Sequence, residues 1–117
     1  MAFIQILTMT PDPASIKSGD KVTITTTVSG DDGANLEVGY SINKKYNLYF
    51  DLPGGAVQVL PAEKILLNNP PMPIVKKVTI VKKPPIPPNG DFTTFQIRVD
   101  ITDGNTSDFK NATIQIP

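Results

Sequence analysis

The chain has 117 residues, 39% of them apolar, no histidine and no cysteine, and its eleven basic residues cancel eleven acidic ones. That length suits one domain, residues 1–117, around a single core. No run approaches the roughly 18 apolar residues of a membrane-crossing helix. The balanced charge argues against nucleic acid as a partner, and the missing imidazole and thiol groups exclude Ser–His and Cys–His nucleophiles and ordinary zinc sites.

Period-two alternation runs through the chain, and no helical stripe competes with it. The opening "MAFIQILTM" holds a short strand candidate at Phe3–Met9 and lacks the basic leader and cleavage site of a secretory signal. Together with the absence of cysteine this favours a cytoplasmic protein, although a mature secreted chain is also compatible. "VTITTTV" then sets Val22, Ile24, Thr26 and Val28 on one face and three threonines on the other. After the turn "SGDDG", "LEVGYSI" places Leu36, Val38, Tyr40 and Ile42 opposite Glu37, Gly39 and Ser41. Shorter candidates follow at Tyr46–Phe50 and Val57–Leu60, separated by "PGG".

Next comes "IVKKVTIVKKPPIPPNG", with Val78 and Ile80 on the core face of a strand over Val75–Val81. Lys76, Lys77, Lys82 and Lys83 bracket it, which predicts an edge strand protected against pairing with other chains. Pro84 and Pro85 stop the ladder, since neither has an N–H to donate. Lys82, Pro85 and Pro88 also fit a basic polyproline-ligand pattern, but within a folded domain the strand reading is preferred. "FQIRVDI" alternates most cleanly, with Phe95, Ile97, Val99 and Ile101 on the inward face of a central strand. The turn "DGN" leads to a last strand with Ala112, Ile114 and Ile116 inward. The sum predicts an all-β fold: an immunoglobulin-like antiparallel sandwich of two sheets with about seven or eight strands.

Charge is unevenly placed. Seven of the eleven basic residues lie between Lys44 and Lys83, where the acids are Asp51 and Glu63. Such a segment between acidic ends favours an anionic ligand, an anionic membrane surface or self-association, and leaves the oligomeric state open. The carboxylates sit mostly in turns and show no catalytic pairing, so a non-enzymatic role without cofactor or metal is expected. Asp31 and Asp32 with Asp103, Asn105 and Asp108 are the one set that calcium could use if their loops meet. Asn105 and Asn111 open formal glycosylation sequons, relevant only to a secreted eukaryotic chain.

The landmarks, taken in order, carry a resemblance. Pro11-Asp12-Pro13, Gly19, the Thr/Val-rich strand and Ser29-Gly30 resemble the opening of ML-domain lipid-recognition proteins, which include cholesterol carriers, fungal phospholipid transfer proteins and mite allergens. Gly33-Ala34 with "NLEVGYSINKKYNLYFDL", and then "VKKVTIVKKPPIPPNGDFTTFQIRVDITDGN", are similar to the later segments of that family. The family's disulfides have no counterpart, and its Asp-Leu-Cys and Cys-Pro-Ile read here as Asp51-Leu52-Pro53 and Met72-Pro73-Ile74. The resemblance implies a lipid, sterol or other hydrophobic small molecule held between splayed sheets. Its cavity candidates are Ile24, Val28, Leu36, Val38, Tyr40, Leu48, Phe50, Val78, Ile80, Phe95, Ile97, Val99 and Ile114. Candidates for a mobile entrance are Tyr46, Tyr49, Leu66, Leu67 and Met72, placed in or beside irregular segments. The same inward residues would equally fill the closed core of an immunoglobulin- or fibronectin-like interaction module, with function on the loops.

Overall fold

A computed structural model describes residues 3–84 and 92–117. Among these there are nine strands and no helix: β1 (Ile4–Asp12), β2 (Lys21–Gly30), β3 (Asn35–Ile42), β4 (Leu48–Leu52), β5 (Gly55–Val57), β6 (Glu63–Leu66), β7 (Met72–Lys82), β8 (Thr94–Thr102) and β9 (Ser107–Gln115). They form a five-stranded sheet in the order β1-β2-β7-β4-β5 and a four-stranded sheet in the order β6-β3-β8-β9. The β1-β2-β7-β4 and β3-β8-β9 groups reproduce the two-sheet strand order of constant-type immunoglobulin domains. The strands beyond the expected seven or eight come from β5 and β6, inserted where the chain crosses between sheets.

Alternation decides which side chains face inward. On β2 the residues Val22, Ile24, Thr26 and Val28 are fully buried, and on β8 Phe95, Ile97, Val99 and Ile101 are equally closed off. β8 lies between β3 and β9, so its polar residues Gln96 and Arg98 face solvent from a central strand. In β1 the register slips between Ile6 and Thr8, leaving Leu7 as an extra residue. That bulge switches the inward face from Ile4 and Ile6 to Met9 and turns Leu7 outward, 43% exposed.

The edge-strand expectation for β7 is corrected. β7 is an inner strand, paired with β2 from Met72 to Thr79 and with β4 from Ile80 to Lys82. Of the four lysines expected to protect a free edge, Lys76 instead lies half-buried on the inward face and bonds Glu63 of β6 in the other sheet at 2.5 Å. Part of the reading has a physical basis, because β4 accompanies β7 over its last residues alone. The expected turn at 87–91 and the Pro85 and Pro88 positions lie outside the described residues.

The two flanks of the sandwich close differently. On one, Ile16 N–H donates to the Gln115 carbonyl at 2.9 Å and Gln115 N–H to that of Ala14 at 2.8 Å. Ile6 N–H adds a bond to Asp108 Oδ2 at 2.8 Å. On the other, residues 58–60 pass along β3, with Ile42 N–H bonded to the Gln58 carbonyl at 2.7 Å and Leu60 N–H to that of Tyr40 at 3.0 Å.

Candidate functional site

Because the strands run lengthwise, the connections gather at two ends of a body 46 Å long and 24 Å across. At one end lie the β1–β2 and β3–β4 connections, the last residues of β7 with Lys83, and the start of β8. Asn47, 5% exposed, ties two of them together. Its Nδ2 donates to the Lys83 carbonyl at 2.6 Å, and Lys83 N–H returns a 2.9 Å bond to the Asn47 carbonyl. Asn43 Oδ1 accepts from Lys45 N–H at 3.0 Å, and Gln58 Nε2 holds the Tyr46 and Leu48 carbonyls at 2.9 and 3.2 Å. Ser18 Oγ accepts from Lys82 N–H at 2.8 Å, which fixes the β1–β2 connection to β7.

On this frame, aromatic rings support lysines. Tyr46, Phe92 and Phe95 meet edge to face, with centroids 5.0 and 5.4 Å from Tyr46. The ammonium of Lys45 lies 5.1 Å from the Tyr46 ring, that of Lys82 5.8 Å from Phe95 and that of Lys83 5.0 Å from Tyr49. Each contact stabilises by about 0.5–1 kcal/mol at an exposed site, enough to bias the direction of a flexible side chain. Lys17, Lys21 and Lys44 stand exposed at the same end, accompanied by the acids Asp12 and Asp20.

The opposite end is acidic. Asp31 Oδ2 accepts from Phe3 N–H at 3.2 Å and Asp32 Oδ1 from Asn69 N–H at 3.0 Å. Asp103 Oδ1 takes the N–H groups of Asn105 and Thr106 at 2.8 and 2.7 Å. These bonds favour the ionised form and hold the Asp103 carboxyl below its ordinary pKa, the Thr106 N–H contributing most. The calcium expectation finds no support in this geometry, since each carboxylate caps a separate piece of backbone. Among the described residues no group of three or more acidic side chains is placed to hold a metal ion.

All of the cavity candidates are buried, from 0% exposed for Ile24, Val28, Val38, Leu48, Ile80, Phe95, Ile97, Val99 and Ile114 to 8% for Val78. Leu36, Tyr40 and Phe50 are 1% exposed, and the whole set belongs to one continuous core. Phe50 and Val78 also border a groove of about 370 Å³ on the β4–β6 flank, together with Leu52, Leu60, Glu63 and Lys76. Within the core, the Tyr40 hydroxyl of one sheet meets Thr26 of the other without a well-formed hydrogen bond. Burial pushes the Tyr40 pKa up, and nearby Glu63 adds to the rise.

The entrance candidates do not share one place. Tyr46 and Tyr49 belong to the lysine end, Tyr49 within β4. Leu66, 57% exposed, ends β6 and Met72 begins β7, so both stand beside the 67–71 connection at the opposite end of the body. Leu67 is a fully buried core residue. The lysine end itself was missed as a unit, because Lys17, Lys45 and Lys83 are distant in sequence and only the strand order brings them together. The signal available was the excess of lysine between residues 44 and 83.

No protein-family model matches the chain, and no curated protein matches it in sequence. One similar solved structure is the Pseudomonas fluorescens alkylpurine DNA glycosylase AlkC bound to DNA containing an abasic site analog. It is 12% identical with a TM-score of 0.48, over 97% of this chain and 30% of that one. A likeness at that level carries no argument about activity or ligand. The exclusion of nucleic acid rested on a net charge of zero, and that ground fails, because here the zero is a cancellation between two oppositely charged ends; the similar chain, for its part, is bound to DNA. The exclusion is therefore dropped.

Proposed function

We propose that this chain is a closed-core immunoglobulin-like interaction module that works through its surface, with the lysine- and aromatic-bearing end as its contact face. The observation that carries this reading is the closure of the interior. The side chains that a ligand cavity would expose are instead spent on each other between the sheets. Each buried apolar side chain contributes about 1.5–3 kcal/mol to holding the sheets together. The lysines, by contrast, are held outward on ring faces where a partner can reach them.

Placing a large side chain in the core tests the reading. Val38→Trp and Val99→Trp should each destabilise by at least about 1–3 kcal/mol, the cost of overpacking a filled core. Fatty acids, phospholipids and sterols should leave the melting temperature unchanged. Tolerance of both substitutions, with a lipid-dependent rise in melting temperature that they abolish, would instead establish a hydrophobic-ligand carrier. That second reading keeps one observation in its favour, the flank groove bordered by Phe50 and Val78.

A further inference from the structure

The two ends of the molecule are complementary to each other. Among the described residues, Lys17, Lys21, Lys44, Lys45, Lys82 and Lys83 gather at one end against Asp12, Asp20 and Asp51. At the other, Asp31, Asp32, Asp103 and Asp108 gather with Glu37, against Lys64. The remaining described charges lie between them and partly neutralise one another, as Lys76 does with Glu63 and Arg98 with Asp100. The result is a rod 46 Å long carrying opposite charge at its poles.

We propose that copies of this chain associate end to end, the lysine end of one docking on the acidic end of the next. This rests on the surface-module reading and names its partner. Charge complementarity selects that partner, because its chemistry is present on the same chain. Bonding at both poles is possible without steric conflict, since they are far apart. The contact joins two different surfaces, so it does not close on itself as a two-fold dimer does and propagates as an open string. Both poles are built on fixed backbone. The lysine end is tied by Asn47 and Gln58, and the acidic end by carboxylates bonded to backbone N–H groups.

Exposed charge pairs are individually weak and strongly screened, so ionic strength should control assembly. Sedimentation of the wild-type chain at about 0.01 M salt, where screening extends over ~30 Å, should show mass rising with concentration; at about 1 M, with a ~3 Å range, it should be monomeric. Two variants identify the poles. Lys44→Glu/Lys45→Glu/Lys83→Glu removes the basic face, and Asp31→Asn/Asp32→Asn/Asp103→Asn neutralises the acidic one while keeping side-chain acceptors. Each variant alone should remain monomeric with a cooperative melt. Mixed in equal amounts they should form a one-to-one dimer and nothing larger, because each retains one of the two complementary ends.

A wild-type chain that stays monomeric at low salt overturns the proposal, as does a mixture that fails to dimerise. If the wild type stays monomeric yet a phosphate-bearing resin retains it through the same three lysines, end-to-end docking fails while the surface-module reading stands. Failure of the tryptophan test above would remove that underlying reading independently.

Discussion

Truncating Ile97 to alanine probes the part of the core that both sheets depend on. Ile97 is 0% exposed at the middle of β8, in register with Ile42 on one side and Ala112 on the other. The change removes three carbons, worth about 0.8 kcal/mol each on transfer from water, or roughly 2.4 kcal/mol together. The void left behind adds to this, and large-to-Ala substitutions at such sites span about 2–5 kcal/mol. Ala112 is too small to swing into the gap, which places Ile97→Ala in the upper half of that range. For a domain of this size the loss corresponds to a melting temperature lower by roughly 10–25 °C. Urea denaturation followed by circular dichroism gives the free energy directly, with Gln96→Ala, one residue away on the solvent face, as control. Gln96→Ala should stay within about 0.5 kcal/mol of wild type. Equal effects of the two substitutions would refute the assigned faces of β8 and the core built on them.

Tyr40→Phe removes a buried hydroxyl that lacks a well-formed partner, so stability should change by less than about 1 kcal/mol in a urea titration. Gly30→Ala should be costly, because a Cβ there would lie 2.6 Å from the Phe3 carbonyl oxygen; thermal melting should show a loss of about 1–3 kcal/mol. Asp103 has a folded-state pKa below its ordinary value, so its stabilisation is complete above the unfolded carboxylate range and disappears as pH falls through the lowered value. Asp103→Asn should therefore melt below wild type at neutral pH, with the difference closing in strong acid.

The sandwich was legible because burial on one side of a strand imposes strict alternation. "VTITTTV", "LEVGYSI" and "FQIRVDI" could not be shifted by one residue without exposing their apolar set. β6 was not legible: "EKIL" is four residues long, lies among prolines and has no clean alternation, and its place is set by pairing with β3. β7 was misjudged for a related reason. Its lysines describe what each end of the strand meets, whereas its position between β2 and β4 depends on partners remote in sequence. The lysine end shares that dependence, since Asn47 and Lys83 become neighbours only after both sheets exist. Whether inward apolar residues fill a core or line a cavity is a matter of inter-sheet distance, on which alternation is silent.

The position of β7 also bears on how the chain folds. The β4–β5 and β8–β9 hairpins join neighbours in sequence and can form early and locally. The pairing of β7 with β2 spans four intervening strands, and β7 must also receive β4 at its far end. Loop-closure entropy is paid in full before that ladder returns any free energy, which places the domain among the slow, millisecond-to-second folders. Until β7 docks, β2 and the β4–β5 hairpin belong to no common sheet. A nascent chain therefore gains its five-stranded sheet in one late step, and Val22, Ile24 and Val28 remain accessible to other chains until then.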